Sequence, residues 1–182
     1  MQVNTHNLGF TDQDFMAQAM RLALKAADIG EVPVGALVVS DGQIIGQGYN
    51  QTISSHDPCG HAEIMALRQA AQCVGNYRLS GCDLYVTLEP CTMCVGAIIH
   101  ARIRRLVYAA NEPKAGAVAS QLQLLSLPHY NHLVKVEAGL LAPDSSAMLS
   151  NFFKQRRLHY KVSKAVVASS TPEIHQPKDA VL

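Results

Sequence analysis

Two short segments of the sequence contain residues that bind metals and transfer protons. The first is His61-Ala62-Glu63, and the second contains Cys91 and Cys94, separated by two residues. One helical turn brings residues three apart onto the same face, and a helix N-terminus stabilises thiolates, the form of cysteine that binds metal. If each segment begins a helix, as we predict, His61, Cys91 and Cys94 form a three-ligand zinc site whose fourth position holds water.

Glu63 is the residue that makes this site suitable for catalysis. Zinc lowers the pKa of a bound water from about 15.7 to about 7, and such a site needs a proton carrier that does not bind the metal. Glu63 follows His61 by two residues, within reach of that water. Two other interpretations stay open: a redox Cys-x-x-Cys pair, and a closed structural zinc site with Cys59, Cys82 or His56 as fourth ligand. In a closed site Glu63 would have no role.

The composition is that of an ordinary globular domain. The chain has 182 residues, of which 48% are apolar and 16% charged, and its net charge is +1; this length supports one domain with a sizeable core. Five cysteines, an odd number, favour metal binding or redox chemistry over a disulfide framework. The sequence shows neither a run of about 20 apolar residues nor a secretory signal, so we expect a soluble, cytoplasmic protein without membrane contact.

Hydrophobic periodicity and turn residues predict alternating helices and strands. Thr11 and Asp14 match a capping box at the start of the first helix, which Gly30 would end. Asp41-Gly42 is typical of a tight hairpin turn. Pro90 is expected in the first turn of a further helix, which continues through Cys94. The other predicted elements are strands at 34–40, 43–49, 83–88, 105–110 and 133–136 and helices at 62–71 and 144–159.

This order predicts one α/β domain in which helices cover a mixed sheet, because the opening hairpin must be antiparallel. We expect a flexible N-terminus at 1–10, a domain at 11–161 and a disordered tail at 162–182, where Ser, Thr, Pro and Lys accumulate without periodicity. The densest basic stretch, 154–157, suits two roles equally: cations at a helix C-terminus, or contacts with RNA phosphates.

Several stretches outside the metal motifs are also characteristic: 31–36 (EVPVGA), 76–79 (NYRL), 84–100 (LYVTLEPCTMCVGAIIH), 114–117 (KAGA), 131–132 (NH) and 152–153 (FF). With the His-x-Glu and Pro-Cys-x-x-Cys motifs, which zinc-dependent nucleobase deaminases share, they extend over roughly 12–157. On these residues the sequence resembles the bacterial tRNA-specific adenosine deaminases of the cytidine-deaminase superfamily.

The resemblance implies a three-layer α/β/α fold of the cytidine-deaminase type, with a mixed five-stranded sheet, and a homodimer. It implies that the three ligands named above bind one Zn²⁺ per subunit and that Glu63 is the general acid and base. It also implies substrate-binding roles for Asn50 and Lys114, with Asn50 hydrogen-bonding the target nucleotide. Without the resemblance, the favoured interpretation of Asn50 is a turn residue that stabilises its own loop.

The implied substrate is the wobble adenosine in the anticodon stem-loop of a tRNA, which would become inosine. Anticodon bases are already unpaired, so moving one into a pocket costs little. The expected reaction is attack of a zinc-activated hydroxide on C6 of adenine, with Glu63 carrying a proton to N1 and then to the departing ammonia. Two alternatives stay open: deamination of a free nucleobase or nucleoside, such as guanine or cytosine, and a non-catalytic zinc-binding RNA module.

Two segments depart from the family pattern. Cys59-Gly60 precedes the histidine ligand where relatives commonly have Thr-Ala, and we expect Cys59 to be a small buried filler. Asn111-Glu112-Pro113 stands where many relatives have Arg-Asp and a small residue, in a loop that touches RNA in the family.

Overall fold

The computed structural model describes residues 9–170, with side chains described through residue 164. Five strands form one sheet in the order β2-β1-β3-β4-β5. The elements are α1 Asp12–Asp28, β1 Gly35–Ser40, β2 Gln43–Tyr49, α2 Ala62–Val74, β3 Asp83–Leu88, α3 Thr92–His100, β4 Arg105–Ala110, a 3₁₀ turn Leu124–Ser126, β5 Lys135–Ala138 and α4 Ala142–Ser170.

The sheet is mixed, as predicted. β1 pairs antiparallel with both β2 and β3, whereas β3 pairs parallel with β4 and β4 with β5. The β1–β2 connection is the predicted two-residue turn, in which Asp41 and Gly42 both have positive φ angles of 49° and 76°. Such turns match the right-handed twist of the strands they join. The parallel β3–β4 pair needs a crossover, which α3 provides.

Alternating side chains divide the core into two layers, one on each face of the sheet. Ala36 and Val38 of β1 pack in a cluster with α2 and α3, whereas Leu37 and Val39 pack in a second cluster with α1. Leu141, just before α4, packs against the second cluster, so α4 begins on the α1 face. The predicted three-layer α/β/α architecture is therefore confirmed.

Two glycines of β2 allow α2 to lie directly on the sheet. A Cβ atom at Gly46 would overlap the backbone carbonyl oxygen of Ala66, and one at Gly48 would overlap that of Ala62. Ala62 is the first residue of α2 and adjoins His61. The close approach at Gly48 therefore sets the position of the helix end that carries His61 and Glu63, the predicted metal ligand and proton carrier.

The first helix begins as predicted, and the third does not. Thr11 and Asp14 form the expected capping box of α1. Pro90, however, lies outside α3, which begins at Thr92 with Cys91 as an extended N-cap residue. The reason is a competing backbone pairing: Cys91 forms an isolated β-bridge with Gly116, and the carbonyl oxygen of Pro90 accepts a hydrogen bond from Ala117.

The last two elements also differ from the prediction. β5 begins at Lys135 rather than at 133, because its register is set by the pairing of Lys135 with Arg105, and Leu133 is 85% exposed. α4 runs from Ala142 to Ser170 rather than from 144 to 159, so the tail predicted to be disordered from 162 is helical through 170. Pro143 lies in the first turn of α4, where proline is tolerated, and no other proline or glycine occurs before Pro172.

The remaining parts of the predicted flexible N-terminus and tail, 1–8 and 171–182, lie outside the described residues. Among the described helices, none combines the length and the apolar character that crossing a membrane requires.

Candidate active site

One edge of the sheet gathers the functional segments. Because β1 runs antiparallel to its neighbours, the start of β1 lies beside the ends of β2 and β3, and the end of the parallel β4 follows. A cavity of about 320 Å³ opens at this edge. Its lining includes Val34 before β1, Asn50 after β2, Leu88 at the end of β3 and Glu112 after β4. This volume is at the lower end of the range of small-molecule pockets.

The predicted metal ligands meet at the wall of this cavity. The Nδ1 atom of His61 lies 3.6 Å from Sγ of Cys91 and 3.5 Å from Sγ of Cys94, and the two sulfurs are 3.7 Å apart. Tetrahedral zinc, with bonds of about 2.3 Å to sulfur and about 2.0 Å to nitrogen, places two sulfurs about 3.8 Å apart and a sulfur and a nitrogen about 3.5 Å apart. The three side chains therefore match the spacing that a zinc ion imposes.

The pKa of one of the two sulfurs, that of Cys91, also favours metal binding. Hydrogen bonds from Cys94 and His61 lower the pKa of Cys91 to about 3, although burial opposes the shift. The same contact between the sulfurs, together with burial, raises the pKa of Cys94. The hydrogen bond with Cys91 raises the pKa of His61. Since thiolates and not thiols bind metals, Cys91 is prepared for ligation at neutral pH.

Glu63 lines the same cavity and is buried, with 4% of its surface exposed. Burial raises the pKa of its carboxyl group, and the charge of His61 opposes this shift only in part. Among residues 9–170, only His61, Cys91 and Cys94 have ligand atoms grouped closely enough to hold a metal. The described residues thus supply no fourth ligand from Cys59, Cys82 or His56, and the closed structural site is not supported.

Asn50 connects two segments at the cavity. Its side-chain nitrogen donates to the carbonyl oxygen of Val32 at 3.1 Å, and its side-chain oxygen accepts from the backbone N–H of Ala62 at 2.9 Å. The residue is buried, with 9% exposure, and lines the cavity. Asn50 therefore holds the start of α2, and with it His61 and Glu63, against the segment that precedes β1.

Lys114 lies apart from the cavity wall. Its side chain is exposed, and its backbone N–H donates to the Glu112 carboxylate at 2.9 Å. The neighbouring residues Glu112 and Ala115 line the cavity, whereas Lys114 does not.

Cys59, expected to be buried, is half-buried instead.

Two buried carboxylates at the cavity were missed by sequence reasoning. Glu31 accepts hydrogen bonds from the backbone N–H groups of Ile53 and Ser54, both at 2.7 Å, and so holds the loop after β2. Glu89 binds the loop after β4. Burial alone would raise the pKa of Glu89, but the Ser120 hydroxyl and backbone N–H groups lower it overall. Sequence reasoning missed both residues because glutamate is rarely buried. The only signal for them was their position beside recognisable motifs.

Comparison with known proteins first defines the class. A family model described as MafB19-like deaminase matches residues 10–157. The three-layer fold and the His-Cys-Cys group beside a buried glutamate agree with this match, and the protein is a deaminase.

Individual relatives narrow the class to one family. A tRNA-specific adenosine deaminase from Haemophilus influenzae is 48% identical over 87% of this chain and 92% of its own length. A structure from a study of A-to-I editing by tRNA:A34 deaminases at the wobble position of transfer RNA has a TM-score of 0.72 and 46% identity, covering 74% of this chain and 97% of that one. A guanine deaminase from Bacillus subtilis is less similar, with a TM-score of 0.55 and 34% identity over 81% of this chain and 95% of that one. The protein belongs to the family of tRNA-specific adenosine deaminases.

Proposed function

We propose that this protein hydrolyses adenosine to inosine at the wobble position of a tRNA anticodon. The observation that carries the proposal is a cavity lined by both His61 and Glu63, with Cys91 and Cys94 completing a zinc-sized ligand group, in a member of this family. In the reaction, the bond between C6 and the amino nitrogen breaks, a bond between C6 and a water oxygen forms, and ammonia leaves.

The cofactor that we propose is one Zn²⁺ per subunit, bound by the imidazole of His61 and the sulfurs of Cys91 and Cys94. Two sulfurs and one nitrogen at tetrahedral spacing suit zinc better than calcium or magnesium, which prefer oxygen ligands. When bound, zinc supplies activation of a water molecule by lowering its pKa.

The side chains of the cavity would carry the remaining steps. Glu63 moves one proton from water to N1 of adenine and the second, from the oxygen that becomes the C6 carbonyl, to the amino group that leaves as ammonia. Asn50 uses one side-chain N–H for Val32, the one acceptor that the described residues offer it, so its second N–H is available to the nucleotide. Lys114, exposed near the cavity, is available for a phosphate.

A second groove next to the cavity supports an RNA substrate. It lies between the end of α1 and the middle of α4, has a volume of about 950 Å³, and shares Ile53 with the first cavity. Phe152, Arg156 and Tyr160 line it, and the Arg156 guanidinium lies 5.8 Å from the centre of the Phe152 ring. Aromatic rings stack bases, and cations bind phosphates. Nucleotides that flank the target adenosine would occupy this groove.

We also propose that the protein is a cytoplasmic homodimer and that residues 11–161 form its deaminase domain. An apolar hollow on the outer side of α2 and α3 supports the dimer, because two copies could bury it against each other. Its lining includes Ile64, Leu67, Ala71, Tyr77 and Ala97. Light scattering would test the dimer. A mass of one chain at all protein concentrations would refute it.

The central experiment measures inosine in an anticodon stem-loop RNA that carries a wobble adenosine. We expect zinc-loaded wild type to form inosine and Glu63→Gln to be slower by about 10²–10⁴-fold, the usual contribution of a general acid or base. Glu137→Gln, a change in β5 outside the cavity, is the matched control and should retain full activity. Zinc content, measured by elemental analysis, should be one per chain in all three proteins.

Free guanine and cytosine are offered to the same preparations. Turnover of either base without inosine in the RNA would replace the proposal with free-base deamination. A Glu63→Gln variant as active as wild type would show that Glu63 does not transfer the proton. Binding of the stem-loop without any deamination would favour a non-catalytic RNA module.

A further inference from the structure

The carboxylate of Glu89 is surrounded by hydrogen-bond donors from a single loop. Glu89 follows β3 directly and is 3% exposed. Its Oε1 atom accepts from the backbone N–H groups of Val118, Ala119 and Ser120 at 3.1, 2.7 and 2.9 Å. Its Oε2 atom accepts from the backbone N–H of Glu112 at 3.0 Å and from the Ser120 hydroxyl. One side chain therefore binds both ends of the loop at 111–120.

The same loop contacts the segment that carries a metal ligand. Ala117 donates a backbone hydrogen bond to Pro90 at 2.9 Å, and Gly116 forms a β-bridge with Cys91. Gly116 also lies so close to the Glu89 carboxylate that a Cβ atom there would overlap it. The loop and the 89–91 segment thus pack as one unit, with the carboxylate at its centre.

This unit forms one wall of the cavity. Glu89, Cys91, Glu112 and Ala115 all line the cavity, and two of them, Glu112 and Ala115, belong to the loop. We propose that Glu89 is a positioning residue that holds the 111–120 loop in place as the substrate-facing wall before the RNA arrives. The effect of Glu89 on the KM for RNA rests on the proposed function, whereas its effect on the order of the loop does not.

The change Glu89→Gln tests this because an amide has one acceptor oxygen instead of two. With that oxygen facing the three N–H groups of 118–120, the NH₂ group takes the place of Oε2. It can donate to the Ser120 hydroxyl, but the backbone N–H of Glu112 loses its acceptor. The opposite orientation would leave three donors unpaired and is less favourable. The variant should therefore free the Glu112 end of the loop, which lines the cavity, and retain the 118–120 end.

Two measurements on the zinc-loaded, full-length chain follow from this. Hydrogen exchange should become about tenfold faster at the Glu112 amide and change less at the amides of 118–120, as expected for loss of one hydrogen bond to a charged group. The KM for the anticodon stem-loop should rise about tenfold while kcat changes less, because the loop positions substrate and does not carry Glu63. Glu137→Gln serves as control and should change neither quantity.

Unchanged exchange at the Glu112 amide or an unchanged KM would overturn the inference. Loss of zinc from Glu89→Gln would also overturn it, because the residue would then act through the metal ligands. If Glu89→Gln does not fold, Ser120→Ala removes only the hydroxyl donor and should raise KM about threefold; an unchanged KM there would refute the role of the carboxylate. If wild type forms no inosine, the proposed function fails, and the exchange measurement still decides this inference.

Discussion

Replacement of Asn50 by alanine should destabilise the fold itself, and not only weaken substrate binding. The side chain of Asn50 connects the carbonyl oxygen of Val32 with the backbone N–H of Ala62. Ala62 is fully buried at the first position of α2, and the described residues offer its N–H no other acceptor. Val32 is less dependent on Asn50, because its carbonyl oxygen also accepts from Val34 at 2.8 Å.

The expected loss follows from these contacts. An unpaired buried N–H at Ala62 costs about 1–3 kcal/mol, and the lost bond to Val32 adds about 0.5–1 kcal/mol. Asn50→Ala should therefore lower the free energy of unfolding by about 1.5–4 kcal/mol. Asn50→Asp keeps an acceptor for Ala62, but it loses the donor to Val32 and buries a charged oxygen beside that carbonyl, so we expect this variant to be destabilised as well.

Urea unfolding of zinc-saturated protein, without RNA and at one protein concentration, measures these losses. Asn131→Ala is a matched control, because Asn131 is a surface residue whose side-chain oxygen accepts from the exposed Arg102. That variant should change the free energy of unfolding by less than about 0.5 kcal/mol. The reasoning would be refuted if Asn50→Ala were equally neutral and yet abolished inosine formation, since Asn50 would then act on the substrate alone.

Three further predictions concern packing, charge and metal. Gly48→Ala forces a Cβ atom into the Ala62 carbonyl and should cost about 2 kcal/mol or more in urea unfolding; an unchanged midpoint would contradict the packing of α2. The Arg105 guanidinium holds the pKa of Asp12 at about 2, below its ordinary 3.8. The stabilisation is therefore complete above about pH 4 and is lost as the pH falls towards 2. Since the Asp12 side chain is 42% exposed, we expect a gap of only about 1 kcal/mol between wild type and Asp12→Asn at pH 6; a gap that persists at pH 2 would refute the ion pair. Removal of zinc by a chelator should lower the melting temperature and added zinc should restore it; equal melting of both forms would argue against a metal in the folded protein.

Strong local signals allowed much of the fold to be predicted from the sequence. The Asp41-Gly42 turn placed β1 and β2 in register, and the apolar run at 83–88 gave β3 its observed bounds. β5 and α4 lacked such signals. β5 is an edge strand with mostly exposed side chains, and its start is decided by pairing with β4. Pro90 failed as a helix signal because tertiary pairing with the 111–120 loop prevailed over local preference.

Some residues of the candidate site could likewise be predicted from the sequence, and others could not. The grouping of His61, Cys91 and Cys94 beside Glu63 could be predicted from residue type and spacing, because metal ligands and a proton carrier would have to occur in a restricted pattern. Lys114 resembled a family position, yet its side chain is exposed and does not line the cavity.

The sequence alone determined which atoms are available for the chemistry: one imidazole, two sulfurs and one carboxylate, each at or near a helix start. The tertiary structure decided how these atoms are held. Asn50, Glu31 and Glu89 bind backbone N–H groups 12 to 31 residues away. No local pattern encodes such bonds, because their donors are peptide groups that every sequence possesses. Only the antiparallel placement of β1 brings these segments to one edge of the sheet, where buried carboxyl and amide groups must find partners.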